Sequence, residues 1–192
     1  MNRARRIFTS RALLGVLVVV AVVNVAVFAV ERWYVLPLHV PSASMEPALR
    51  EGERILVKRT HASPADLARQ LDRGDVLVFR APEAGEPLTV KRVIGLPGET
   101  IQAKDGVIAI DDEKILVEQW LPESERDIGT PAADSVDIPL TRLGDDEVYL
   151  LGDNRDNSID SRVYGPVSLD DVVGTVLVRY WPPSRYGKVD WA

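Results

Sequence analysis

The amino-acid sequence predicts a mostly-β domain with one N-terminal transmembrane helix. Three observations lead there. Residues 12–30 carry no charge, and Asn24 is their one strongly polar member; at about 1.5 Å per residue the run makes roughly 28 Å of helix, close to the hydrocarbon thickness of a bilayer. Beyond it the chain breaks into short apolar runs separated by Gly, Pro, Asp and Asn, which is the punctuation of strands and turns. A length of 192 residues, 46% of them apolar, suffices for one ordinary domain with a buried core plus a short appendage.

Taken in order, residues 1–11 form a basic tail bearing Arg3, Arg5, Arg6 and Arg11. Arginines resist translocation, so this tail is expected in the cytoplasm, with 31–192 on the outer side of the anchor. Trp33 and Tyr34 follow the apolar run where an interfacial aromatic belt would sit. Val27-Phe28-Ala29 supplies the small residues of a cleavable signal peptide, but the apolar region of such peptides is usually about 7–15 residues, so length favours a retained anchor.

In the outer part, strands are expected at 54–58, 75–79, 90–94, 100–110, 114–120, 148–151 and 172–180. Asp105-Gly106 reads as a hairpin turn inside the fourth of these. One short helix is expected, with Ser63 as N-cap, Pro64 in the first turn, Asp66 at the third position and Leu67 to Leu71 after it. Residues 123–142 mix acids, proline and small residues and read as a loop; 113–145 as a whole reads as a small cap or loop insertion.

Composition excludes several functions. With no cysteine there is no disulfide, thiolate nucleophile or zinc–sulfur site. Two histidines, His39 and His61, nearly exclude a multi-histidine metal centre. A net charge of −6, with basic residues gathered at the N-terminus, argues against a nucleic-acid partner.

Three segments carry candidate chemistry. Val40-Pro41-Ser42-Ala43-Ser44-Met45-Glu46-Pro47 places two serines in a proline-bracketed bend able to expose a hydroxyl and a backbone N–H; an ordinary Ser/Pro turn has the same composition, and a serine nucleophile needs a base. Thr89-Val90-Lys91-Arg92-Val93-Ile94-Gly95-Leu96-Pro97-Gly98 sets Lys91 in a β-branched apolar run. Only five lysines occur against eighteen arginines. Period-two alternation puts Lys91 and Arg92 on opposite faces, and lysine, which can lose its proton, is the cheaper of the two to bury. An edge lysine that discourages aggregation is the plainer alternative. Gly152-Asp153-Asn154-Arg155-Asp156-Asn157-Ser158-Ile159-Asp160-Ser161-Arg162 reads as an ordered, self-bonded loop. It fails as a calcium loop, because neither candidate start puts Gly and Glu where that loop requires them.

In this order and behind an apolar anchor, the three segments together with Arg73-Gly74-Asp75-Val76-Leu77-Val78-Phe79 resemble the type I signal peptidases (leader peptidases), membrane-bound serine–lysine endopeptidases. The resemblance covers most of 31–192. It implies an antiparallel β-sheet or partial-barrel catalytic domain that removes signal peptides from exported preproteins after Ala-X-Ala sites, at the bacterial cell membrane. It implies Ser44 as nucleophile and Lys91 as general base, with Ser42 and the Ser44 N–H as oxyanion hole. It further implies Ser158 as the group orienting Lys91, braced by Asp160 and Arg162. Val90 and Val93 would contribute the apolar surround that keeps the lysine neutral. Leu38, Val40 and Val90 would form shallow substrate pockets, and Trp33, Tyr34 and Trp181 would hold the cleft near the bilayer. The implied partners are preproteins and lipid, with no metal or cofactor and no required oligomer. Ala48 departs from the family's usual threonine, and the single anchor resembles the compact members.

Three rivals are open on sequence alone. One is a Ser-His-Asp triad using His39 or His61. A second is a specialised serine–lysine protease, such as a pilin-processing enzyme or a self-cleaving repressor. The third is an inactive anchored binding module that kept the fold.

Overall fold

The computed structural model of the protein describes residues 2–81, 88–104, 106–111, 114–116, 118 and 137–189; the side chains of 2–12 and 29–32 lie outside the described set. The chain divides into two units, Met1–Leu36 and Pro37–Ala192. In the first, α1 runs without a break over Asn2–Trp33. The Asn24 amide donates to Val20 O at 2.7 Å, so the helix itself satisfies the polar group in its apolar run. The described apolar side chains from Leu13 to Phe28 are exposed. Among the described residues no helix is long and apolar enough to cross a membrane; the uncharged run of 12–30 extends at both ends past 13–28, the stretch whose side chains are described.

Two antiparallel sheets build the rest. The strands are β1 (Val35–His39), β2 (Arg54–Arg59), β3 (Val76–Phe79), β4 (Thr89–Gly95), β5 (Thr100–Lys104), β6 (Val107–Ile110), β7 (Lys114–Ile115), β8 (Ile138–Arg142), β9 (Glu147–Leu151), β10 (Val167–Ser168) and β11 (Val172–Trp181). The larger sheet has the order β1-β2-β11-β3-β4-β9-β10 and the smaller the order β7-β6-β5-β8. Two short helices, α2 (Pro64–Ala68) and α3 (Ser161–Tyr164), complete the set.

Alternation along the inner strands decides where the core lies. On β9, Tyr149 and Leu151 join Ile94, Ile101, Ile108, Ile110 and Leu143 in one buried cluster. The intervening Val148 and Leu150 join Leu77, Phe79, Val93, Leu169 and Val172 in another. Strand β4, between β3 and β9, is therefore covered on both faces, and every residue from Val90 to Gly95 is buried. Each large side chain so buried contributes roughly 1.5–3 kcal/mol, which makes β4 a rigid rail for whatever it carries.

The expected local chemistry is present at α2, where Ser63 accepts from Asp66 N at 3.2 Å and Pro64 occupies the first turn. The helix ends at Ala68, short of the expected Leu71. In the β5–β6 hairpin Lys104 pairs with Val107 and Gly106 has φ 79°, a conformation glycine adopts without strain; Asp105 lies outside the described residues. Two expectations change. Of the strand expected at 114–120, Lys114–Ile115 is strand and Leu116 is not, while 117, 119 and 120 lie outside the described residues. The expected loop at 123–142 ends in a strand, β8, which pairs with β5. Pro139 disguised it: proline is confined to strands with a free edge, and β8 is the edge of its sheet.

Candidate active site

Pro41 and Pro47 bracket a turn that contains a single 3-10 segment, Ala43–Met45. Met45 and Leu49 are buried and pin the turn, with Leu49 N donating to Met45 O at 2.7 Å. Ser44, half-buried between them, projects its hydroxyl toward β4, where Lys91 Nζ lies 2.7 Å from Ser44 Oγ. Ser42 Oγ is 3.3 Å from the same oxygen. The serine bend and the lysine strand, 47 residues apart, thus meet in one place.

Lys91 is 3% exposed. Burial lowers its amine from 10.5 to about 8, against the opposing pull of the Asp160 and Asp153 carboxylates. Desolvation disfavours the charged form, and at about 8 roughly a tenth of the amine is unprotonated at pH 7 and about half of it at pH 8. Arg92 is buried as well, although it is the costlier of the two to bury. It is held by Asp153 through two contacts of 2.8 and 2.7 Å and donates to Gly74 O at 2.7 Å. A bidentate carboxylate offsets the desolvation that arginine cannot relieve by losing a proton.

The loop after β9 supplies that carboxylate and clasps the serine turn. Asn154 N donates to Ser44 O at 3.1 Å and Asn154 Nδ2 to Ala43 O at 3.2 Å. Gly152 is required by close approach: a Cβ there would fall 2.2 Å from Ser158 Oγ and 2.5 Å from Ser44 O. The loop is thus self-bonded only in part. Internally, the fully buried Asp160 accepts from Gly152 N at 2.9 Å and from Arg162 Nε at 2.8 Å. Burial alone would raise the Asp160 carboxyl; Arg162 and the Gly152 N–H outweigh it and hold the group below its ordinary value. Arg162 also caps Arg155 O at 2.7 Å, and Arg155 pairs with Glu118. Ser158 Oγ is buried with no partner at hydrogen-bond geometry, Lys91 included, although it lies near enough to Asp160 to favour its charge.

A cleft of about 290 Å³ opens over these groups. Val40, Ser42, Ser44, Val90, Lys91 and Ser158 line it, joined by Met45, Leu88, Asn157 and Ile159, which the sequence did not single out. Leu38 is half-buried on β1 and outside this lining, as are Asp160 and Arg162, which sit behind it. Both histidines are exposed and neither lines the cleft. Among the described residues no cluster of three or more His, Cys, Asp or Glu is arranged to hold a metal ion. The signal for Asn154 and Gly152 lay in the density of short polar residues at 152–162. Their targets, backbone carbonyls over a hundred residues away, left no trace in it.

Comparison with known proteins shows the family. The family described as "Signal peptidase, peptidase S26" matches residues 11–181. A "Probable signal peptidase I-1" of Synechocystis sp. is 32% identical over 163 residues, covering 80% of this chain and 74% of the relative. "Signal peptidase IB" of Staphylococcus aureus is 30% identical over 184 residues, covering 92% and 93%. A crystal structure of a signal peptidase I from Enterococcus faecalis V583 is 31% identical, with a TM-score of 0.47 over 55% of this chain and 95% of that one. On the family match over 11–181 and the two relatives' coverage, the chain belongs to the signal peptidase family, peptidase S26, and is a serine peptidase.

Proposed function

We propose that this serine peptidase removes N-terminal signal peptides from exported preproteins after Ala-X-Ala sites, using Ser44 and Lys91 as a catalytic dyad. The observation that carries the reading is the 2.7 Å separation of Lys91 Nζ and Ser44 Oγ at an amine lowered by burial to about 8. When the amine is neutral, the hydroxyl donates to its lone pair. Ser44 Oγ then attacks the scissile carbonyl carbon while its proton passes to Lys91. Ser42 Oγ and the Ser44 N–H stabilise the charge that develops on the carbonyl oxygen, which is absent from the ground state. The protonated amine delivers its proton to the leaving nitrogen, and a water activated by the same amine hydrolyses the acyl-enzyme. Ser158, Asp160 and Arg162 form the shell behind the lysine, with Asp160 and Arg162 bonded to each other.

An extended substrate would pair with the backbone of 38–40 and of β4, its small side chains set against Val40 and Val90, which both line the cleft. Residues 12–30 serve as a single membrane anchor, 1–11 as a cytoplasmic tail and 31–192 as an extracytoplasmic domain of a bacterial cell-membrane protein; the uncharged run behind four arginines supports this placement.

The test is cleavage of one preprotein by the full-length protein, its Ser44→Ala variant and its Lys91→Ala variant. Both variants are expected to be inactive, and the wild-type rate should rise with pH through about 8. Full activity in either variant, or a profile set by a group near pH 6–7 as for histidine, overturns the mechanism.

A further inference from the structure

The turn that carries Ser44 holds itself in part, Glu46 N donating to Ala43 O at 3.1 Å and Leu49 N to Met45 O at 2.7 Å. Pro41 and Pro47 contribute no N–H, and the remaining carbonyls must find donors elsewhere. On the upstream limb Asn154 bonds Ala43 O and Ser44 O. On the downstream limb the donors come from the far end of the chain. Arg179 Nη1 donates to Ala48 O at 2.5 Å, and Arg185 Nη2 donates to Pro47 O at 3.0 Å and Ala48 O at 3.2 Å. Between the two guanidiniums lies the buried carboxylate of Glu53, 2.9 Å from Arg185 Nε and 3.6 Å from Arg179 Nη1. Glu53 also accepts from Arg50 N at 3.0 Å, and its own carbonyl accepts from Val40 N at 2.9 Å. The pair is preorganised: Arg179 Nε donates to Arg185 O at 2.5 Å, and Arg179 and Gly187 exchange backbone hydrogen bonds of 2.8 and 3.1 Å.

We propose that Arg179 and Arg185, bridged by Glu53, are positioning residues for Ser44, holding the carbonyls of Pro47 and Ala48 so that the hydroxyl stays within reach of Lys91. The proposal rests on Ser44 being the nucleophile. Neither arginine lines the cleft, so their effect runs through the turn and not through substrate contact. An ångström of misplacement at a reacting atom costs about 100-fold in rate, and among the described contacts the carbonyls of Pro47 and Ala48 have only these two arginines as donors.

The test compares full-length wild type, Arg179→Ala, Arg185→Ala, Arg185→Lys and Ser44→Ala on one preprotein across pH. Both alanine variants are expected to lose about 10- to 100-fold in kcat with KM nearly unchanged. The pH midpoint should stay where it is, because nothing around Lys91 has been altered. Arg185→Lys keeps the charge beside Glu53 but not the fork of donors, so it should fall between; added guanidinium should restore part of the Arg185→Ala rate, since that side chain is partly exposed. Wild-type kcat in both alanine variants overturns the proposal. So does a loss of activity in which the pH midpoint climbs toward that of an ordinary lysine, which would mean collapse of the whole site. An active Ser44→Ala variant would instead remove the reading beneath it.

Discussion

On one side of β4, Arg92 reaches Asp153 through a two-pronged ion pair in which the side chains are 1% and 0% exposed. On the other side Lys91, as deeply buried, meets a serine hydroxyl, and the carboxylates that raise its proton affinity act from a distance. The two cations are adjacent in sequence and share the same strand, with β3 beside both and β9 pairing from Arg92 onward. Their surroundings separate them: one is given a counter-charge that locks it in place, the other is left to relieve its desolvation by shedding a proton. Gly152 and Asp153, again adjacent, serve the two sides in turn.

The largest expected effect breaks this symmetry on the lysine side. Lys91→Met should lower the cleavage rate by about 10²–10⁴-fold, the usual worth of a general base, while thermal unfolding shows no loss of stability because no buried charge is orphaned. On the arginine side the pattern should invert. Asp153→Ala removes the carboxylate that Arg92 meets through two contacts, and denaturant titration should show a loss of about 3–5 kcal/mol. Were Lys91→Met the destabilising change and Asp153→Ala the harmless one, the contrast would be false.

A smaller effect follows from titration. With the folded amine at about 8 and the free lysine at 10.5, the unfolded chain binds more protons between these values, so stability rises with pH across that window. The wild type should gain on the order of 3 kcal/mol relative to Lys91→Met between about pH 8 and 10.5, read as the difference of two denaturation series. Smallest is Gly152→Ala, whose new methyl must push against Ser158 Oγ and Ser44 O. Overpacking of this kind costs about 1–3 kcal/mol, and cleavage should fall with it while the Arg92–Asp153 side is undisturbed.

Much of the fold was legible because strand signals are local. The runs at 54–58, 75–79, 90–94, 148–151 and 172–180 lie within observed strands but for Asp75, which directly precedes β3, and Ser63 caps α2 through the contact its position implies. Ser44 and Lys91 were candidates through their contexts, a proline-bracketed bend and a lysine among β-branched residues, and their roles came only from the resemblance of the combined motifs. Strand β8 was not, since Pro139 argues against a strand unless the edge is known. The burial of Arg92 was not, because its partner is 61 residues away. The Glu53–Arg179–Arg185 cluster was not, because nothing about three common charged residues announces that they converge.

By itself, the sequence determined which segments extend, which turn, and which two side chains are the candidates for nucleophile and base, since alternation, capping and residue type act over a few positions. Only the tertiary structure decided that Ser44 and Lys91 stand 2.7 Å apart and that Arg92 rather than Lys91 receives the carboxylate. It also decided that the serine turn is held from both flanks. Distances between remote residues and the desolvation they impose arise when strands from distant parts of the chain pack together, and no local pattern contains them.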